Sequence, residues 1–235
     1  MTYKSAAEAR EEAVRVLGDD LGQLYHHLKQ DTYALLLDWR IYKGLFGTNE
    51  ERVRLLNSAS GLLAHSIDRA LWERVLLRLC RLNDPPKQRE NRNITIRALP
   101  PLIEEPLRGE IAELVEDARV ACEPVRELRN KRLAHSDLGE REAQGISGAS
   151  RRDIGGAIDS IGAVLQWVAR VKMNVQLELD VLVSPADDEV TFLQVVHDGI
   201  TARDFRECEI LEARRKGDLA ALKRLEADYP NWLKR

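Results

Sequence analysis

The chain has 235 residues, of which 44% are hydrophobic and 32% charged, and its formal net charge is −3. With no overall positive charge, the chain cannot attract nucleic acid through a global field, so an anionic ligand must be held by a local basic patch. No stretch approaches the roughly 18 uninterrupted apolar residues of a membrane span, and the charged N-terminus lacks the apolar core of a signal peptide. We therefore expect a globular, cytoplasmic protein with no membrane partner.

The three cysteines, Cys80, Cys122 and Cys208, are far apart and lie within helical patterns. An odd number at these spacings argues against a disulfide framework and against a zinc cluster. We expect all three to be buried thiols, and the sequence predicts no metal and no cofactor.

Apolar residues at three- and four-residue spacings predict a first helix over about Ser5–Leu28, with Gly18 and Gly22 as points where it can kink. A second helix, richer in large apolar side chains, is predicted over Tyr33–Phe46 and should end at Gly47. The first half of the chain thus begins with two helices separated near residue 30.

The next helical pattern runs from about Thr48 through Leu79 and stops before Pro85. Prolines, asparagines and charges dominate the stretch Asn83–Pro106, which predicts a long loop with a short helix near Leu102. Loops of this length in compact domains are usually functional or mobile.

Two further helices are predicted in the second half of the chain. One extends over about Leu107–Leu138 and is followed by a polar linker to Gly148. Ser150 and Asp153 have the spacing of a capping box, which opens a helix that continues to about Val171.

The C-terminal region carries a thinner apolar pattern. Ser184 can begin a helix that Gly199 can end, and Phe205–Arg235 is strongly charged. The sequence therefore predicts an all-α protein, with a bundle of four to five helices in residues 1–180 and a helical C-terminal extension in residues 181–235.

Polar groups take core-facing positions near the end of the helix predicted over Leu107–Leu138. Arg129 projects near the centre of its apolar arc, Arg132 falls within the arc, and His135 lies at the edge. Because arginine is almost never fully buried without a partner, this end of the helix predicts an open, electropositive cleft or interface containing a histidine.

These residue types suit phosphodiester cleavage without a metal. His135 can move a proton near neutral pH, Arg129 can hold a phosphate and stabilise developing charge, and Asn130 can orient the histidine or a ribose hydroxyl. The neighbouring cations, Arg126, Lys131 and Arg132, would bind the substrate backbone. RNA supplies its own nucleophile, the 2′-hydroxyl, so the expected substrate is RNA.

One histidine per chain does not provide both a base and an acid. A two-fold homodimer with this segment at its seam would bring two copies into one cleft, so we expect a homodimer.

The segment also carries a family resemblance. Arg129-Asn130 followed by four residues and His135 resembles the Arg-polar-x(4–6)-His signature of the HEPN superfamily. The stretches Trp39–Phe46, Thr48–Asp84 and Arg129–Asp137 are most similar to its AbiU-like abortive-infection group, and the resemblance covers roughly residues 30–175.

The resemblance implies a dimerising helical bundle, metal-independent endoribonuclease activity in many members, and roles in phage defence, toxin–antitoxin systems and RNA processing. It matches His135 to the catalytic histidine, Arg129 to the essential arginine and Asn130 to the polar residue after it. An antitoxin-like protein is a further expected partner.

Two alternatives stay open. Arg129 and His135 can belong to a structural salt-bridge network, with the histidine at a helix C-terminus where a cation is favoured. The chain can also be a catalytically inactive HEPN-like module that binds RNA or a protein. Elsewhere, His65 lies near an apolar face and is interpreted as a core or cleft histidine.

Overall fold

The computed structural model describes residues 5–130, 149–225 and 229–233. Secondary structure in these ranges is almost wholly helical, which confirms the all-α fold class. The strands found there form one short antiparallel hairpin, β1 (Lys87–Gln88) and β2 (Asn91–Arg92). Among the helices described, none is long and apolar enough to cross a membrane.

The first two helices are α1 (Ala6–Leu17) and α2 (Asp19–Tyr42), and they are separated at Gly18. The predicted break near residue 30 is wrong, because no helix-breaking residue lies there, whereas Gly18 adopts φ 83°, which favours glycine. A Cβ at Gly22 would come within 2.6 Å of the Ala13 carbonyl oxygen, so glycine lets α1 and α2 pack closely.

Helix α3 (Glu50–Leu82) follows a π-helical turn, Lys43–Gly47, and is interrupted at Ser60, whose φ of −167° and ψ of 99° are not helical. Its start is fixed by Asn49, whose Oδ1 accepts a hydrogen bond from the Glu51 N–H at 2.7 Å. His65 is exposed on this helix, so its interpretation as a core or cleft histidine is wrong.

The helix predicted over Leu107–Leu138 is divided, as far as Arg129, into α4 (Arg108–Ala121) and α5 (Glu123–Arg129). Proline lacks an N–H and disfavours helical geometry in the residue before it, so Pro124 separates the two helices at Cys122. Residues 131–138 lie outside the described residues. In the preceding loop, a 3-10 turn at Pro100–Leu102 confirms the predicted short helix.

Helix α6 (Arg151–Met173) begins with the predicted capping box between Ser150 and Asp153. It contacts α1, α2, α4 and α5, and its buried side chains lie on several faces. Helix α6 is therefore the helix on which these four helices pack.

The described residues group into two compact units, one with residues up to Lys43 and from Ile67 to Leu182, the other with Gly44–Ser66 and the residues from Val183 onward. Residues 44–66 thus group with the C-terminal region, and the predicted domain boundary at residue 180 stays a prediction.

The second unit contains α7 (Glu189–Lys216) and α8 (Leu219–Leu225). The predicted helix end at Gly199 is wrong, because one interior glycine costs only about 1 kcal/mol and α7 continues to Gly217 at φ 66°. The expected burial of Cys208 is also wrong, since α7 leaves that thiol exposed, while Cys80 and Cys122 are buried as expected.

Candidate functional site

The end of α5 faces the turn that follows α3. The Arg126 guanidinium donates a hydrogen bond from Nη2 to the Asn83 carbonyl oxygen at 2.7 Å. The Asp84 Oδ1 lies 3.4 Å from Arg126 Nη2 and 3.9 Å from Arg129 Nη2. Arg126 and Arg129 are three residues apart, so they share one face of the helix and can point at the same group.

A buried threonine holds the Asn83–Asp84 turn in place. The Thr95 hydroxyl lies 3.0 Å from the Leu82 carbonyl oxygen and 2.8 Å from the Asp84 carbonyl oxygen, and it donates its hydrogen between them. Asn83 is itself fully buried. The turn therefore presents its carbonyl and carboxylate to the two arginines from a fixed position.

The Arg129 guanidinium is only loosely paired with Asp84. Its 3.9 Å approach to Asp84 is beyond hydrogen-bond distance, and its side chain stays 26% exposed. Its Nε is buried and has no hydrogen-bond partner among the residues that the structure describes. A phosphate oxygen would bind the exposed part of this guanidinium, which Asp84 does not approach within hydrogen-bond distance.

Two buried cysteines adjoin the arginine pair. Burial raises the pKa of the Cys80 thiol, and a hydrogen bond and the positive charge from Arg129 oppose this rise. Burial raises the pKa of Cys122 to about 12, with a smaller opposing contribution from Asn83. Both thiols are therefore protonated near neutral pH and supply neither a nucleophile nor a base.

Of the predicted site residues, the structure brings Arg126 and Arg129 together on Asp84. Asn130 is exposed and forms the C-terminal cap of α5 in helical geometry. The other three predicted residues, Lys131, Arg132 and His135, lie outside the described residues.

Sequence reasoning missed Asp84 altogether. The open, electropositive cleft or interface that the sequence predicts also contains a half-buried carboxylate, which lies beside the two cations. A proline pair directly after Asp84 marks a turn at the end of α3, but nothing in the sequence relates that turn to α5.

The apolar side of α5 belongs to the core of its own chain. Val125 and Leu128 are 0% and 5% exposed, and α5 packs on α6. The apolar stripe of α5 therefore faces the core of its own chain.

Within the described ranges, no group of three or more histidine, cysteine, aspartate or glutamate side chains could hold a metal ion.

The family model HEPN_AbiU2, described as AbiU2, matches residues 18–190. This range includes α2 to α6, the Asn83–Asp84 turn and the arginine pair of α5. Neither the curated proteins nor the solved structures contained a match. The match covers most of the chain, and the protein therefore belongs to the AbiU2 family of HEPN proteins.

Proposed function

We propose that this chain is a metal-independent endoribonuclease that acts in abortive infection or as a toxin-like factor. Membership of the HEPN family suggests the abortive-infection or toxin-like role. The observation that best supports RNA cleavage is the Arg129 guanidinium, which is partly exposed and lies beyond hydrogen-bond distance of its carboxylate, Asp84.

In the proposed reaction, the 2′-oxygen of a ribose attacks the adjacent phosphorus and the bond to the 5′-oxygen breaks. Arg129 and Arg126 bind the phosphate oxygens and stabilise the charge that develops on them, and Asn130 supports this binding. Lys131 and Arg132 contact the flanking backbone. His135 accepts the proton of the 2′-hydroxyl, and an acid gives a proton to the departing 5′-oxygen.

A homodimer would supply that acid. Two copies of His135 in one cleft can act in opposite protonation states, one as base and one as acid, which leads us to expect a rate that rises and then falls across roughly pH 5 to 8. An antitoxin-like protein that covers the same cleft would silence the activity.

The alternative is a catalytically inactive module that binds RNA or a protein through the same helices. The carboxylate of Asp84 near both arginines favours this reading, because a structural ion pair has the same components.

Incubating the purified protein with structured RNA in EDTA distinguishes the two functions. The wild type should cleave, His135→Ala should not, and His65→Ala should cleave normally because His65 is exposed on a different helix. Equal cleavage by wild type and His135→Ala would identify a contaminating nuclease, and no cleavage by any of the three would favour the binding module.

A further inference from the structure

The short hairpin after the Asn83–Asp84 turn is strongly basic. Lys87, Arg89 and Arg92 are all exposed, and Glu90 is the only acidic residue between Lys87 and Arg92. Among the described residues, no carboxylate forms an ion pair with any of the three cations. The hairpin therefore presents three cations outside any ion pair among the described residues, and one carboxylate, in a chain whose net charge is −3.

Two features make these cations unfavourable to the hairpin itself. Lys87 is the direct cross-strand partner of Arg92, and like charges at opposed positions destabilise a strand pair. Arg89 is the first residue of the two-residue loop and adopts φ 56°, a position that tight hairpins usually give to glycine. A hairpin selected for stability alone would carry other residues at these positions.

The hairpin is attached to the same turn that contacts the arginine pair. The Asn93 N–H donates to the Pro86 carbonyl oxygen at 2.9 Å, and its Nδ2 donates to the Pro85 carbonyl oxygen at 2.8 Å. Lys87 is three residues after Asp84, so their Cα atoms are at most about 10 Å apart. Roughly three stacked nucleotides span that distance.

We propose that the Lys87–Arg92 hairpin binds the phosphate backbone of an RNA strand, roughly three nucleotides from the phosphate that Arg126 and Arg129 bind. This proposal deepens the proposed function and rests on it for the identity of the RNA. The three hairpin cations near Arg126 and Arg129 can bind successive phosphates of a nucleic-acid strand, whose charges are regularly spaced. Contacts of this kind position a substrate without reading its base sequence. An acidic protein is the competing partner.

Salt-dependent binding of 2′-O-methyl RNA, which lacks the nucleophile and cannot be cleaved by the proposed reaction, tests the hairpin separately from catalysis. The double variant Lys87→Gln, Arg92→Gln should bind more weakly, and the slope of log affinity against log salt should fall by about 1.4 in magnitude. The control Lys223→Gln, Arg224→Gln removes the same charge from exposed positions on α8 and should keep the wild-type slope.

The variant Arg89→Gly separates binding from stability. It removes one cation and also relieves the left-handed backbone at that position, so its thermal midpoint should equal or exceed that of the wild type. Its salt slope should nevertheless fall by about 0.7. Weaker RNA binding by a more stable protein cannot be explained by damage to the fold.

Cleavage of a dinucleotide and of a long RNA separates failure of this proposal from failure of the proposed function. The Lys87, Arg92 double variant should have normal kcat/KM on the dinucleotide and reduced kcat/KM on the long RNA. If no RNA is cleaved but the hairpin variants still lose RNA binding, the proposed ribonuclease function is wrong and the proposal that the hairpin binds RNA is supported. Wild-type slopes in both hairpin variants would overturn the proposal. Hairpin-dependent binding of polyglutamate with none of RNA would also overturn it, in favour of an acidic protein.

Discussion

Two clusters in the bundle have the same composition, one aspartate and two arginines, and differ in how tightly they are closed. Asp38 is 1% exposed and accepts hydrogen bonds on Oδ2 from Arg74 Nε at 2.8 Å and Arg78 Nε at 2.7 Å, with a further bond from Arg74 to Oδ1. Asp84 is 26% exposed, and its nearest arginine nitrogen is 3.4 Å away.

The comparison shows what a purely structural arginine network looks like in this protein. The carboxylate of Asp38 accepts three hydrogen bonds from its two arginines, which fixes both guanidinium groups at that carboxylate. The Oδ1 of Asp84 lies 3.9 Å from Arg129 Nη2, and Arg129 Nε has no hydrogen-bond partner among the described residues. The Arg129 guanidinium of this second cluster can therefore bind another anion.

The largest expected difference between the clusters is in catalysis. Arg129→Lys keeps the charge but loses the planar fork, so cleavage in EDTA should fall by about 10- to 1000-fold. The matched change Arg78→Lys should leave the single-turnover rate per folded molecule unchanged. An Arg129→Lys protein that cleaves like the wild type would show that both clusters are structural.

For stability the order is reversed, and loss of the carboxylate should cost more at Asp38 than at Asp84. Asp38→Ala leaves two guanidinium groups without their carboxylate and should lower the free energy of unfolding by about 3 kcal/mol, the lower end of the range for broken buried pairs. The expected cost is at the lower end of that range because the Arg74 side chain is 56% exposed and its guanidinium can be hydrated. Asp84→Ala should cost less than about 1 kcal/mol, as for exposed pairs. Urea unfolding of both variants measures the difference, and equal costs would contradict it.

Dilution tests whether the open cluster is completed by a second chain. If two copies of His135 are needed, specific activity should fall once the protein is diluted below its dimer dissociation constant, and sedimentation should show a dimer at micromolar concentration. Val125 and Leu128 are unsuitable positions for splitting the dimer, since both are buried in their own chain. Constant specific activity in a monomer would remove the composite site.

The smallest expected effect concerns the pH dependence of stability and a buried histidine, His26. His26 is buried, and its pKa is lowered from 6.5, mainly by burial and then by the positive charges of His27, Lys29 and Arg10. Because the folded-state pKa lies below the unfolded value, its contribution to stability is present above pH 6.5 and is lost as pH falls through the folded-state pKa.

Urea unfolding from pH 7.5 to 5 checks this expectation. His26→Gln should flatten the loss of stability at low pH, and His197→Gln, at an exposed position, should not. Identical pH profiles for all three proteins would show that His26 does not contribute to the pH dependence.

Interactions between near neighbours were predictable from the sequence. The all-α class followed from helical periodicity, and the start of α6 followed from the capping box of Ser150 and Asp153, which are three residues apart. The Arg129-Asn130 motif pointed to the HEPN family, which the match over residues 18–190 confirms. The helical periodicity and the capping box each depend on residues a few positions apart, where backbone geometry alone determines which side chains meet.

Breaks in the helices were harder to predict because they depend on competing costs. Gly18 ends a helix and Gly199 does not, although both are glycines within helical patterns. Gly18 separates two helices that pack tightly through Gly22, so tertiary packing favours the break there. Helix α7 continues through Gly199, where one interior glycine costs only about 1 kcal/mol.

The sequence by itself determined the all-α class, the family and the arginines of the candidate site. Only the tertiary structure decided that Asp84 lies beside Arg126, 42 residues away, that Arg129 keeps an unpartnered Nε among the described residues, and that the basic hairpin begins at the same turn. These arrangements depend on how α3 and α5 pack in the bundle, and packing is set by the combined burial of many distant side chains rather than by any local pattern.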